Sequence, residues 1–409
     1  MARAAGRAGR GGRQRAVAAA PLVRAPRARV HALVALTADS GRGRARGAEA
    51  DTGAFGRWRA IVSGEARGVL PALARALLRF ASWGYRAAVA VRNALYRTGV
   101  LPVRRAAAPV VSVGNLTAGG TGKTPLVEWI CTELVRRGRR PAILSRGYGA
   151  TRGPNDEALL LAERLPGIVH LQHPDRVRAA QAAVAHHDAD FLVLDDGFQH
   201  RRLDRDIDLV LLDATCPFGY GYLLPRGLLR EPPRALRRAD MVLLTRCELV
   251  SRERIEALRA RVQRLAPEAP IGEVAFVPFE VTEVHGTGRE PVASLAGQAV
   301  YAFCGIGNPA AFFASCERLG ARLVGRRAFA DHHPYTEADL AEIEAAARAA
   351  GARCLLTTHK DAVKLSALPP TALPQRVLQI RAELRDGEAA LQFLLEALCE
   401  ETRPPEGEP

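Results

Sequence analysis

The segment VVSVGNLTAGGTGKTPLVEWI, residues 110–130, narrows the fold more than any other part of the chain. An apolar run short enough for a buried strand enters a loop with three glycines, and Lys123-Thr124 opens a run in which Leu126, Ile130 and Leu134 share a helical face closed by Gly138. Glycines let consecutive backbone N–H groups point inward without Cβ clashes, and a helix N-terminus adds positive potential. Thr117, Ala118, Gly119, Gly120, Thr121, Gly122, Lys123 and Thr124 therefore read as a phosphate cradle. Lys123 reaches the outer phosphates of a nucleotide and the Thr124 hydroxyl is placed to ligate Mg²⁺. The loop departs from GxxxxGK[ST] at its first position, where Thr117 stands in place of glycine.

A second block supplies the acidic partner that such a loop requires. FLVLDDGFQH ends an apolar strand in Asp195 and Asp196, followed by Gln199 and His200. Carboxylates at the carboxyl end of a parallel strand face the same crevice as the loop, where one can hold Mg²⁺ directly or through water. The other can simply cap the turn.

Around these two blocks, strand-like apolar runs alternate with helical ones. PAILSRGYG, ADFLVLDDG, DIDLVLLDA and ADMVLLTR are continuous enough for strands buried on both faces, and SRERIEALRARVQRLAPE reads as a surface helix. IGEVAFVPFEVTEV is extended, and a second strand–helix series begins at AVYAFCGIGNP. The expected class is α/β: a P-loop NTPase-like parallel sheet flanked by helices, with a second, smaller α/β domain. The expected boundaries are 101–275 for the nucleotide domain, 276–298 for an extended linker and 299–400 for the C-terminal domain.

Charge separates the termini from this body. The net charge is +15, but residues 1–50 hold eleven Arg against Asp39 and Glu49 alone, so most of the excess is in the tail. That segment is low in large apolar groups and is expected to be disordered, as is 401–409. The body is only mildly basic, which suits an acidic lipid surface or a phosphorylated substrate rather than nucleic acid. Residues 51–100 form a basic helical segment. Leu70, Leu73, Leu77, Phe80 and Tyr85 recur near helical spacing, with Arg75, Arg79, Arg86, Arg92 and Arg97 between them. No run there is long enough to cross a bilayer, so the segment either lies on an anionic membrane or packs on its own protein with Arg facing water. Seven cysteines without CxxC or His-paired spacing point to reduced thiols and a cytosolic setting.

Eight blocks, SVGNLTAGGTGKTP, LSRGYG, NDEALLLA, VLDDGFQH, LLPRGLLREP, CGIGNP, FADHHPYT and TTHKDAVKL, occur in an order that resembles the tetraacyldisaccharide 4'-kinase (lipid A 4'-kinase) family over roughly residues 67–395. That family accepts Thr at the first loop position. The resemblance implies transfer of the γ-phosphate of ATP, with Mg²⁺, to the 4'-hydroxyl of an acylated glucosamine disaccharide 1-phosphate. It places the enzyme peripherally on the cytoplasmic face of the bacterial inner membrane, with that glycolipid and the anionic surface as partners. It also implies that Asp156 and His332 form a catalytic dyad beside Lys123, with His333 the adjacent rival. Asn155 and Ala158 stand where the family has Gly and Pro, and His359 where it usually has Glu. If the two-domain division holds, closure across a cleft completes the site. Arg146, Arg226 and Arg230 are candidate anion contacts. LLTRCEL and LLTTHKD are candidate purine-reading loops, or helix caps.

Two other classes fit parts of the pattern. A P-loop ATPase or GTPase switch would use the tail to dock a protein partner, and a nucleic-acid-binding protein would depend on residues 1–50. Neither needs the DHH block or a bilayer-facing helix.

Overall fold

The computed structural model describes residues 54–147 and 156–401. The expectations for the 1–50 tail, for 402–409 of the 401–409 tail, and for Tyr148, Gly149 and Asn155 fall outside the described residues, and Glu401 is the last residue of a helix.

Two helices, α1 (Ala54–Ser63) and α2 (Val69–Arg97), precede the sheet. The first series is β1 (Val110–Asn115), α3 (Lys123–Arg136), β2 (Pro141–Ser145), α4 (Asp156–Arg164), β3 (Val169–Gln172), α5 (Arg176–His187), β4 (Phe191–Asp195), β5 (Ile207–Asp213), β6 (Met241–Thr245), α6 (Arg252–Leu265) and β7 (Ile271–Glu283). After the short β8 (Arg289–Pro291) come β9 (Ala299–Cys304), α7 (Pro309–Arg318), β10 (Arg322–Ala328), α8 (Glu337–Ala349), β11 (Cys354–Thr358), α9 (His359–Leu365), β12 (Gln375–Asp386) and α10 (Glu388–Glu401).

All strands join one twelve-stranded sheet in the order β10-β9-β11-β12-β7-β6-β5-β1-β4-β2-β3, with β8 on β7. Pairing is parallel except for β7–β12 and β7–β8. β1, β2, β4, β5 and β6 are buried along their whole length, which is why they appear in the sequence as unbroken apolar runs. β3 and β12 escape the sequence reading. β12 interleaves Arg376, Arg381, Glu383 and Arg385 with its apolar residues because one side of its C-terminal half is exposed.

The antiparallel β7–β12 ribbon decides how the two series meet. β6 pairs along the first residues of β7, Val242 with Ile271 to Thr245 with Val274, and so points toward the ribbon's middle. β11 pairs along the first residues of β12, Leu355 with Gln375 to Thr358 with Leu378, and points toward the same middle from the other end. The carboxyl ends of both parallel sets consequently face one another, and these are the ends where α/β sheets bind ligands. The last helix also crosses between series: Leu391 and Leu395 of α10 are fully buried in one cluster with Leu126, Ile130 and Leu134 of α3. Each such leucine contributes about 2 kcal/mol of burial free energy, so α10 ties the end of the chain to the phosphate-loop helix.

Candidate active site

A cavity of about 210 Å³ opens where the two sets of strand ends meet, lined from one side by Gly120 to Thr124 and Glu157, and from the other by Gly307, Asn308, Thr358 and Lys360. The phosphate loop is braced before it reaches this cavity. Asn115 Nδ2 donates to Thr117 O at 2.8 Å, Ala118 N donates to Leu228 O at 2.7 Å, and Thr245 Oγ1 donates to Thr121 O at 2.9 Å. The Ala118 amide is therefore already engaged, and the cavity is lined by the loop from Gly120 onward. Gly122 has φ +86°, and a Cβ there would lie 2.0 Å from the Phe276 ring. Gly307 brings the CGIG turn close to the loop: a Cβ on it would sit 3.0 Å from Gly120 N. Gly122 is required by backbone conformation and close packing, and at Gly307 a side chain would press on the backbone of the phosphate loop.

Register places the acidic pair. Val113 of β1 pairs with Asp195 of β4, so Asp195 leaves the sheet beside the strand that feeds the loop. Asp196 follows in the left-handed region at φ +57°. Its carboxylate lies 3.3 Å from Lys123 Nζ and accepts from Arg230 Nη1 at 2.8 and 2.9 Å. Burial pushes against ionisation, but Lys123 and Arg230 prevail and hold the Asp196 carboxyl down at about 2. Asp195 is the opposite case. It is 3% exposed, its Oδ1 has no hydrogen-bond partner, and burial, with Glu157 adding, raises it to about 7. An orphaned buried carboxylate oxygen next in sequence to a second carboxylate offers hard oxygen donors of the kind that suit Mg²⁺. Among the described residues no cluster of three His, Cys, Asp or Glu forms a self-standing metal site. A cation at a phosphate loop takes several of its ligands from phosphate and water.

Asp156 and His332, far apart in sequence, are brought into contact. Asp156 begins α4, and its Oδ2 is 3.3 Å from His332 Nδ1 and 3.6 Å from Lys364 Nζ. Although burial opposes it, the hydrogen bond from His332 and the Lys364 charge hold the Asp156 carboxyl below its ordinary value. His332 adopts φ +62°, a conformation that costs a non-glycine residue about 1 kcal/mol or more and recurs at functional sites. Three of the sequence blocks combine to hold it. His332 N donates to Gly305 O at 3.1 Å, Gly305 N donates to both oxygens of Asp361, and Thr358 Oγ1 donates to Asp361 at 2.7 Å while capping α9. His333 turns elsewhere, to Asp339 at 3.2 Å and into a stack on Phe329.

The sequence reading misses two lysines. Lys360 and Lys364 lie four residues apart on α9, and Lys360 Nζ is 3.1 Å from His332 Nε2, 3.2 Å from Asp331 Oδ1 and 3.7 Å from Glu157 Oε1. Burial works against its charge, yet Asp331 and Glu157 raise the Lys360 ammonium above its ordinary value. The i, i+4 spacing in THKDAVK is the signal that would have found the pair. His359 is a wall residue, bonded to Arg164 at 2.9 Å and Glu163 at 3.0 Å. Glu248 of LLTRCEL and Thr358 and His359 of LLTTHKD line the same cavity. Arg226 stacks on Tyr222 and donates to Val62 O at 2.9 Å, pinning α1, while Arg230 serves the acidic pair. Gln199 donates to Asn115 O at 2.7 Å, and burial lowers His200 to about 4.

Helix α2 presents its apolar residues outward. Leu70, Leu73, Leu77, Phe80 and Trp83 are exposed, Leu70 at 79% and Leu77 and Phe80 at 73%. Three of its polar groups face the protein instead: Ser82 Oγ donates to Leu223 O at 2.9 Å, Tyr85 OH to Arg230 O at 3.1 Å, and Arg92 pairs with fully buried Glu231 at 2.6 Å. Tyr85, expected on the apolar stripe, is on this inward side because its hydroxyl has a carbonyl to reach. Among the described residues no helix is long and apolar enough to cross a membrane. No disulfide joins the seven cysteines, all of which lie among the described residues.

Residues 74–399 match the family model described as tetraacyldisaccharide-1-P 4'-kinase. The chain is 46% identical over 352 residues to a tetraacyldisaccharide 4'-kinase of Anaeromyxobacter dehalogenans (strain 2CP-C), covering 81% of this chain and 92% of that protein. It is 40% identical over 347 residues to one of Syntrophus aciditrophicus, covering 79% and 92%. Its structure is similar to the "apo" form crystal structure of LpxK from Aquifex aeolicus in complex with ATP, with a TM-score of 0.61, 27% identity, and coverage of 79% of this chain and 99% of that one.

Proposed function

The chain belongs to the tetraacyldisaccharide-1-P 4'-kinase family, ATP-dependent kinases of lipid A biosynthesis, and from that premise we propose how its residues divide the work. The loop 117–124 forms the phosphate cradle, its first residues bracing it and Gly120 to Thr124 gripping the phosphates of ATP, with Lys123 neutralising the outer oxygens. The Asp156–His332 pair takes the proton from the 4'-hydroxyl of the acylated disaccharide 1-phosphate as that oxygen attacks the γ-phosphorus. Thr124, Asp195 and Asp196 would hold Mg²⁺, which supplies further charge neutralisation at the phosphate oxygens when bound. The observation that carries this reading is the 3.3 Å contact between Asp156 and His332, made by residues from the two strand series that enclose one cavity with the phosphate loop.

The outward stripe of α2 supports a location at the cytoplasmic face of the inner membrane. A glycolipid with several acyl chains stays in the bilayer, since each buried methylene is worth about 0.8 kcal/mol, so the enzyme must come to it. Leu70, Leu73, Leu77, Phe80 and Trp83 enter the interface, with Arg79 and Arg86 near anionic headgroups. The β7–β12 ribbon, whose register shifts at Gln379 and Ile380 opposite Pro278, is where closure over the nucleotide would bend the sheet.

The test is phosphate transfer from labelled ATP, with Mg²⁺, to tetraacyldisaccharide 1-phosphate in vesicles. Lys123→Ala should lose both ATP binding and transfer. Asp156→Ala should keep ATP binding and lose transfer, and near-normal transfer by that variant overturns the dyad.

A further inference from the structure

Helix α4 has Asp156 as its first residue and Arg164 as its last, and the Arg164 guanidinium is bonded to three other elements at once. Nη1 donates to both oxygens of Glu128 on α3, at 3.0 and 2.9 Å, and to Ile380 O on β12 at 3.0 Å. Nη2 donates to Gln379 Oε1 on the same strand, and Nε donates at 2.9 Å to Nδ1 of His359, the first residue of α9. A guanidinium has no lone pair to give, so His359 accepts at Nδ1 and carries its proton on Nε2, where Glu163 Oε2 receives it at 3.0 Å. Burial, with the Arg164 charge adding, keeps His359 below its ordinary value against the pull of Glu163, and the imidazole stays the neutral acceptor that Arg164 needs. The Arg164 side chain is only 11% exposed. Leu160 and Leu161 also bury α4 in the main core cluster, but apolar contact is non-directional, whereas a planar fork with fixed acceptors sets an orientation.

We propose that Arg164 is a positioning residue: by bonding α3, β12 and α9 together it sets the direction of α4, and so holds the Asp156 carboxylate where the sugar hydroxyl is delivered. The inference rests on the role given to Asp156 above. The nine residues of α4 put its two ends roughly 12 Å apart, so a tilt of about 10° about the Arg164 end moves Asp156 by about 2 Å. That displacement is more than a 3.3 Å contact with His332 can absorb. The elements that Arg164 joins are those whose relative placement the reaction needs. Glu128 belongs to the helix that starts at Lys123, and His359 to the helix that carries Lys364 to within 3.6 Å of Asp156. Gln379 and Ile380 form the register shift in the ribbon between the two strand series.

The test uses full-length protein in the transfer assay. Arg164→Met should lower kcat about 100-fold, the cost of an ångström-scale misplacement, while the KM for ATP stays within about threefold. Arg164→Lys keeps a charge opposite Glu128 without the fork, so it should regain most of the Tm and little of kcat. Added to Asp156→Ala, Arg164→Met should change the residual transfer by less than about twofold, because the group it positions is already gone. A further loss as large as in the wild-type background overturns the proposal. So does a raised KM for ATP with kcat kept, since Arg164 would then serve the nucleotide in the cavity it lines, and so does full recovery of kcat by Arg164→Lys. If Arg164→Met does not fold, His359 decides. His359→Asn, which keeps an acceptor near the Nδ1 position, should retain more than about half of kcat, and His359→Leu should lose about fivefold, the scale of one hydrogen bond. Equal kcat in these two variants refutes the fork. Failure of the Asp156 role would appear separately, as near-normal transfer by Asp156→Ala alone.

Discussion

The Tyr85 hydroxyl donates to the backbone carbonyl of Arg230 at 3.1 Å, and the guanidinium of that same Arg230 contacts both oxygens of Asp196. One residue thus joins the helix with the outward apolar stripe to the carboxylate beside Lys123. A displacement of α2 is passed to the Arg230 backbone through this bond. Tyr85→Phe removes a single partly buried hydrogen bond and should cost about 1 kcal/mol, or about 2 °C in Tm, by differential scanning calorimetry. An unchanged Tm would mean that the bond adds nothing.

Leu77 and Phe80 are each 73% exposed, so replacing them disturbs little internal packing. The double variant Leu77→Glu, Phe80→Glu is expected to stay within about 0.5 kcal/mol of wild-type stability at each site and to bind ATP normally. Its co-sedimentation with anionic vesicles should fall at least about tenfold, because two charges replace apolar area in the interface. Undiminished sedimentation would place the membrane contact elsewhere.

Arg230 Nη1 also lies 3.3 Å from Gln199 Oε1, so its charge serves Asp196 and its geometry serves the DDGFQ turn. Arg230→Met leaves the ionised Asp196 with Lys123 as its close cationic partner, and draws that lysine away from phosphate. Transfer should fall about 100-fold or more, the scale for losing one preorganised charge partner at such a site. The check is kcat/KM for ATP in the transfer assay; a loss below about tenfold contradicts the assignment.

Gly122→Ala meets two penalties that cannot be relieved together. The φ of +86° is strained for alanine, and the new methyl carbon would lie 2.0 Å from the Phe276 ring. Thermal melts should show a loss of more than about 1 kcal/mol, with ATP affinity lowered as well. Adding Phe276→Leu makes room for the methyl but leaves the backbone strain, so it should restore only part of the stability. Full restoration would show that conformation at Gly122 does not matter.

His170 lies on the edge strand β3 with Nε2 2.8 Å from Ser145 Oγ, and burial lowers it to about 4 against a smaller opposing pull from Glu157. It is neutral in the folded protein above that value, whereas an unfolded histidine protonates near 6.5. Between those values the unfolded chain binds more protons, so this contribution to stability is complete above about pH 6.5 and declines as pH falls toward 4. Asp195, raised to about 7 by burial, acts with the opposite sign as pH rises toward that value. The histidine part is therefore isolated by comparison: His170→Asn should flatten the Tm decline between pH 6.5 and 4.5 relative to wild type. Parallel curves would refute the assignment.

Local chemistry made much of this protein legible. The phosphate loop, the acidic strand end and the parallel strands are each written in fewer than about fifteen consecutive residues, because turn geometry, burial on both faces and helix capping act over that range. The blocks containing Asp156 and His332 could be named from family resemblance, but nothing in their spacing says that they touch. Their meeting depends on the β7–β12 ribbon, which turns the carboxyl ends of two strand sets toward each other, and β12 hides in the sequence because its half-exposed surface breaks the apolar run with charges. Lys360 was invisible as a partner of His332 for the same reason. The outward side of α2 was equally undecided, since helical spacing defines a stripe without saying what covers it. Hydrogen bonds such as those of Ser82, Tyr85 and Arg92 to the protein body turn that stripe away from the core. Periodicity is set by neighbours along the chain; orientation is set by which distant groups satisfy the polar atoms.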